Sequence, residues 1–163
     1  MFGCYAILIA ACALGCGLNA GVFFAFSTFV MQGLTRLAPS EGINAMKAIN
    51  VTAVTPIFMT LLFGTGVLCA VAIIAAVWPW NQANSAAVMF GGVMYLSGAI
   101  ITTMMRNVPL NGSLARLAPG DPSSASVWNS YVRDWTKWNH LRTFNCAGAM
   151  VLFIFALWQQ AKL

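Results

Sequence analysis

VTAVTPIFMTLLFGTGVLCAVAIIAAVW, residues 51–78, carries no charged side chain, and neither does anything else between Lys47 and Arg106. A helix needs about 20 mainly apolar residues to cross a bilayer, so this stretch spans once and the charge-free interval leaves room for a second crossing. Read outward in the same way, the chain offers residues 4–30 before the first charge at Arg36, residues 86–105, and residues 143–161 between Arg142 and Lys162. Pro79 and the polar run from Asn81 to Ser85 end the helix between the middle two segments, and Trp78 and Trp80 suit the headgroup layer, which makes those two a hairpin. The expected fold is all-α: an integral membrane four-helix bundle forming one transmembrane domain over residues 1–163. Composition agrees, because 7% charged and 60% apolar residues cannot solvate a globular surface that usually has about a quarter charged residues.

Four crossings place the linkers 31–50 and 106–142 on one side, opposite both termini. Arg36, Lys47, Arg106, Arg116, Arg133, Lys137 and Arg142 all lie in those linkers, seven of the 8 Lys and Arg residues. The positive-inside rule predicts that this side is cytoplasmic, in a plasma (inner) membrane, with both termini outside. Topology therefore explains the net charge of +5; without a basic run or an aromatic-interleaved basic pattern, no nucleic-acid partner is expected. Cys4, Cys12, Cys16, Cys69 and Cys146 sit in apolar stretches without a Cys-x-x-Cys pair and read as small buried residues rather than disulfides or zinc ligands. Ile9-Ala10-Ala11-Cys12 loosely resembles a lipoprotein cleavage site, but no basic n-region precedes it, and an uncleaved first helix is expected.

Neither cytoplasmic linker reads as disordered. Residues 40–50 place Ile43, Met46 and Ile49 on one face of a short helix leading into the second span. The longer linker is expected to leave helical geometry around Pro109 and to turn at Pro119-Gly120-Asp121-Pro122. It then enters a helix capped by Ser123 or Ser124 and running past Trp138. At 100° per residue Trp128, Tyr131, Trp135, Trp138, Asn139 and Arg142 share a face, while Arg133, Lys137 and His140 lie on another. That division describes an interfacial amphipathic helix before span four.

Asn19, deep in span one, must find a partner: it bonds across the bundle or lines a polar cavity. Gly17-x-x-x-Gly21 points to close helix packing. Asn107 and Asn111 follow span three at the depth where Asn139 and Arg142 precede span four. These four residues either form a pocket of donors for a carbonyl or phenolate oxygen, or cap backbone groups while Arg142 snorkels to lipid phosphate. His140 is the only histidine, which argues against a histidine-rich metal centre but leaves a candidate general base. An unbroken helix would turn it away from Asn139 and Arg142. Glu41, Asp121 and Asp134 lie outside the spans, so a proton-coupled transporter lacks its intramembrane carboxylate. Phosphate-binding glycine loops, a Ser-His-Asp series and a dinucleotide fingerprint are missing.

Asn107-Val-Pro-Leu-Asn-Gly-Ser-Leu114, followed by Trp128-Asn-Ser-Tyr-Val-Arg-Asp-Trp-Thr-Lys-Trp-Asn-His-Leu-Arg-Thr143, resembles the anthrone oxygenase-like family of small membrane proteins. The likeness extends to Gly21–Ser27 and Ala45–Asn50, and departs at Met31-Gln32, where relatives often carry Pro after the Met. The resemblance implies oxidation of anthrones to anthraquinones by molecular oxygen, with no metal or flavin cofactor. It implies His140 as the base and Arg142, with Asn107 or Asn111, as the oxyanion stabiliser. Trp135 and Trp138 would stack on the rings, with Asn139 in the substrate-binding set; Asn19, read from its own position in span one, is a further substrate-binding candidate. The substrate would be a lipophilic phenolic or quinonoid compound arriving from the lipid bilayer. The competing expectation is a non-catalytic small subunit that packs, as an oligomer or against partner membrane proteins, through its Gly-rich spans and aromatic helix.

Overall fold

Backbone amides in hydrocarbon must be paired within their own segment, which leaves helices as the natural solution for a chain this apolar. The computed structural model describes residues 2–77, 84–117 and 123–162, and contains no strand among them. Five helices succeed one another: α1 (Gly3–Thr35), α2 (Pro39–Thr52), α3 (Pro56–Val77), α4 (Ser85–Ala115) and α5 (Ser124–Gln160). All but α2 are long and apolar enough to cross a membrane, and the protein is a multi-pass membrane protein. The expected hairpin linker with Trp78, Pro79 and Trp80 and the turn at Pro119-Gly120-Asp121-Pro122 lie outside the described residues.

Three boundaries differ from expectation. Span two begins at Pro56 rather than Val51, because Thr55, preceding a proline, is extended (φ −96°, ψ 151°) and caps the new helix by accepting from Phe58 N at 3.2 Å. The short helix α2 therefore stands apart, with Ile43 and Met46 fully buried. Glu41 accepts from Ala38 N at 3.2 Å at its start. Second, the chain does not leave helical geometry at Pro109. Val108 stays helical (φ −63°, ψ −46°), and a π-helical turn over Thr103–Asn107 precedes it; the widened turn accommodates the missing N–H and the ring. Third, the helix expected along the interface and span four form one unbroken rod of 37 residues, about 55 Å long at 1.5 Å per residue. Its N-terminal part outreaches a hydrocarbon core of about 30 Å, and its aromatic face is covered by α1, α2 and α4 rather than by headgroups.

Two cores result. At one end of the bundle Cys12, Cys16, Cys69, Ala72, Val88, Cys146, Ala149 and Phe153 pack together, and small side chains let the backbones approach. A Cβ on Gly92 would stand 3.2 Å from the Cys69 carbonyl and 2.6 Å from Ile73. Within the glycine pair of α1, Gly17 faces Met150 while Gly21 has nothing within 4 Å. At the other, charged end Met31, Ile43, Met46, Leu114, Trp128, Tyr131 and Trp135 form the second core. There Lys47 Nζ donates to the Leu117 carbonyl at 2.6 Å, tying α2 to the segment after α4.

Candidate active site

A cavity of ≈ 440 Å³ lies at the charged end, between the two cores. Phe23 and Phe26 from α1, Phe58 from α3 and Trp135 from α5 supply aromatic walls, and Met46 of α2 lines it as well. Π-helical turns occur in α1 (Phe26–Val30), α3 (Thr60–Gly64) and α4 (Leu96–Ile101 and Thr103–Asn107). Three of them contribute cavity-lining side chains: Phe26, Leu62 with Phe63, and Thr103 with Met104. Such turns widen a helix locally and recur at functional sites.

Arg142 lines this cavity while only 6% exposed. Its Nη2 donates to Asn139 Oδ1 at 2.6 Å and its Nη1 to Thr103 Oγ1 at 3.1 Å, whereas Nε has no partner. The guanidinium carbon stands 4.2 Å from the Phe23 ring centroid and 5.2 Å from that of Trp135. No carboxylate meets it: among the described residues the ion pair is Arg133–Asp134 at 2.8 Å, on the exposed surface. Neutral oxygens and ring faces alone therefore balance a cation inside an apolar bundle, an arrangement costing several kcal/mol unless an anion joins it. Snorkelling to lipid phosphate is ruled out by this inward position.

The supporting amides are locked. Asn139 Nδ2 donates to the Phe23 carbonyl and to Ser27 Oγ, each at 2.7 Å, which turns its Oδ1 toward Arg142. Asn111 Oδ1 accepts from Tyr131 OH at 2.9 Å and Trp135 Nε1 at 2.8 Å. That orientation leaves Asn111 Nδ2, on a residue lining the cavity, without a partner among the described residues. Arg142 and Asn111 are thus two donor groups in an aromatic chamber, suited to an oxygen that gains negative charge on a flat ring.

The family model for anthrone oxygenase matches residues 57–152. The chain belongs to the anthrone oxygenase family. No curated protein and no solved structure matches it. Family membership points to an oxygenase-type function, and the matched span includes Thr103, Asn111, Trp135, Asn139 and Arg142 while leaving out the α1 and α2 walls of the cavity.

Not every residue singled out in the sequence reaches this chamber. Asn107 stands behind it: Nδ2 donates to the Trp135 carbonyl at 3.3 Å and Oδ1 is buried without a partner. Asn19 sits toward the small-residue core, donating to Gly15 O at 2.9 Å and Leu61 O at 3.4 Å, so it fastens α1 to α3. Trp138 lies under Arg106 and Lys137, at 4.6 and 5.7 Å from its ring centroid, and does not line the cavity. His140 is exposed and lines a separate groove with Gln32, Arg133, Thr136 and Lys137. The structure does not bring His140 to Arg142, because α5 is unbroken and two residues turn a helix by about 200°.

Thr103, Asn50 of α2, which also lines the cavity, and the phenylalanine walls were missed by sequence reasoning. Thr103, Asn107 and Asn111 recur every four residues, a spacing that marks one helical face and was the available signal for Thr103. Among the described residues no three of His, Cys, Asp and Glu come together as a metal-ligand set.

Proposed function

We propose that the protein oxidises a lipophilic, enolisable anthrone-like compound with molecular oxygen, Arg142 holding the substrate as its oxyanion. The observation that carries this reading is the buried Arg142 without a carboxylate, lining an aromatic cavity. An anthrone loses a proton from its methylene to become an enolate, whose charge is shared between oxygen and that carbon. A guanidinium in a poorly solvated site favours the charged form, and Asn111 Nδ2 offers a second donor to the same oxygen. Trp135 and Phe23 flank the guanidinium and present ring faces for stacking.

The electron-rich carbon gives one electron to oxygen, and the radical pair closes a C–O bond as a hydroperoxide. Loss of the second methylene proton then breaks the O–O bond, forming the new carbonyl and releasing water. One anthrone and one oxygen thus give one anthraquinone and one water. All electrons pass from substrate to oxygen, so these steps draw on no metal or flavin. Among the described residues the cavity wall carries no imidazole or carboxylate, and the first proton is released to water. In this reading the charged end faces the cytoplasm of the plasma membrane, an orientation that the distribution of Lys and Arg supports.

The test uses the purified full chain in nanodiscs with 9-anthrone, recording oxygen uptake and quinone absorbance. One oxygen should be consumed per quinone formed, and Arg142→Gln should slow turnover about 10²–10³-fold, the usual cost of one oxyanion donor. A wild-type rate in Arg142→Gln sinks the assignment. His140→Ala separates two accounts of the proton: a comparable loss there would return the base role to the imidazole.

A further inference from the structure

The cavity is not closed all round, and the side on which it opens is informative. Its buried lining comes from α1, α2, α5 and Leu62 of α3: Phe23, Met46, Leu62, Trp135 and Arg142 are all buried. Its exposed lining comes only from the α2–α3 junction, α3 and α4. Among these, Val54 is 68% exposed, Phe63 42%, Met104 53% and Val108 47%. The opening is thus a window between the start of α3 and the charged-end half of α4. Two local features build it. The extended Thr55 before Pro56 interrupts the chain where α2 would otherwise continue into α3 and cover the gap. Tyr95 OH donates to the Leu62 carbonyl at 2.8 Å, the last cross-tie before α3 and α4 separate around the cavity. On the small-residue side of that bond the two helices close on Gly92 and Gly66.

The rim is chemically one-sided. Ile57, 84% exposed, and Ile101 and Met105, 52% and 66% exposed, extend the apolar surface beside Val54, Phe63, Met104 and Val108. The two hydroxyls at its edge are already used, Thr52 Oγ1 donating to the Ala48 carbonyl at 2.9 Å and Thr55 Oγ1 capping α3. With those hydroxyls used, the exposed side chains around the window are apolar and suit hydrocarbon rather than water. Arg106 turns away from it, over Trp138.

Resting on the proposed function, we infer that this window admits substrates from within the bilayer and passes an apolar tail, so that the site accepts an enolisable aromatic ring bearing a long alkyl or prenyl chain. The ring occupies the chamber beside Arg142 while the chain stays in lipid. Because the chain contacts lipid both before and after binding, it contributes little affinity of its own; its signature is tolerance of a substituent that a closed chamber would reject by steric clash.

The experiment measures anaerobic binding of 9-anthrone, 2-dodecyl-9-anthrone and 3-dodecyl-9-anthrone to the full chain in nanodiscs by quenching of tryptophan fluorescence, with affinities expressed per mole fraction of lipid. At least one tailed ligand should bind within about threefold of 9-anthrone. Met104→Trp and Val108→Phe, which fill the window, should each raise the ratio of tailed to untailed dissociation constants at least tenfold. Ile154→Trp, on the lipid-facing side of α5 away from the window, should leave that ratio where it is in the wild type. Rejection of both tailed ligands by a wild type that binds 9-anthrone overturns this inference alone, as does an unaltered ratio in both window variants. Failure of all three ligands to bind overturns the proposed function and the inference together.

Discussion

The two ends of the bundle solve the packing problem in opposite ways. Around Cys12, Cys16, Cys69, Ala72, Ala149 and Phe153 the helices meet through small side chains, so their backbones lie close and dispersion holds them without help from water. Around Trp135 and Arg142 large rings and long side chains keep the helices apart, a chamber of ≈ 440 Å³ remains, and Arg142 Nε and Asn107 Oδ1 go without partners. Unpartnered buried polar atoms occur at both ends, Tyr5 OH, Asn84 Oδ1 and Ser85 Oγ among them at the small-residue end; what sets the charged end apart is a buried cation without a carboxylate beside an open chamber. One end is therefore built for cohesion; the other carries a buried charge whose cost an anionic ligand would offset.

Arg142→Met puts this contrast to its sharpest test. Turnover of 9-anthrone should fall by about 10²–10³-fold while the unfolding temperature in nanodiscs stays the same or rises, because an apolar side chain of similar length removes an uncompensated buried charge. A large drop in unfolding temperature would show that Arg142 holds the bundle together instead. Phe153→Ala should do the reverse. It leaves a void among closely packed helices and should cost about 3 kcal/mol of stability, the low end for such truncations because only packing, not transfer from water, is lost between spans. Turnover by the folded fraction should hardly move; a parallel fall in both would mean that the ends are not separable. Smallest is Trp135→Phe, which keeps an aromatic wall but removes the donor to Asn111 Oδ1. The amide loses part of its orientation, and turnover should fall by about two- to tenfold, matching a single hydrogen bond of roughly 0.5–1.5 kcal/mol.

What could be read before the coordinates followed this same division. Charge-free intervals around residues 51–105 reveal the spans because hydropathy is a property of whole segments. The shared face of Trp128, Tyr131, Trp135, Asn139 and Arg142 follows from period alone, and all five are buried. Asn19 bonds across the bundle, as one of its two readings allowed. Trp138 stands at the edge of that face, about 60° from Trp135 at 100° per residue, and is half-buried beneath Arg106. Pro109 misled because the rule against proline in helices assumes a regular preceding turn, and the π-helical stretch Thr103–Asn107 removes that assumption. Four such π-helical segments shape three of the spans, yet none carries a residue pattern distinct from the surrounding apolar run. The chamber was invisible for that reason, although the sequence points to its two donors, Asn111 and Arg142.

Those widened turns have a genetic reading. A π turn closes its hydrogen bond one residue later than an α turn, so each holds one residue more than a regular helix would need. Losing a single codon between Thr103 and Asn107 would let α4 regularise with its backbone bonds intact, and because the residue removed is the surplus one, the helix beyond would keep nearly its present facing. Asn111 would then stay at the chamber, whereas a deletion in a regular α turn rotates everything beyond it by about 100°. In this chain a one-residue deletion is thus a gentle lesion at the widened turns and a severe one between them.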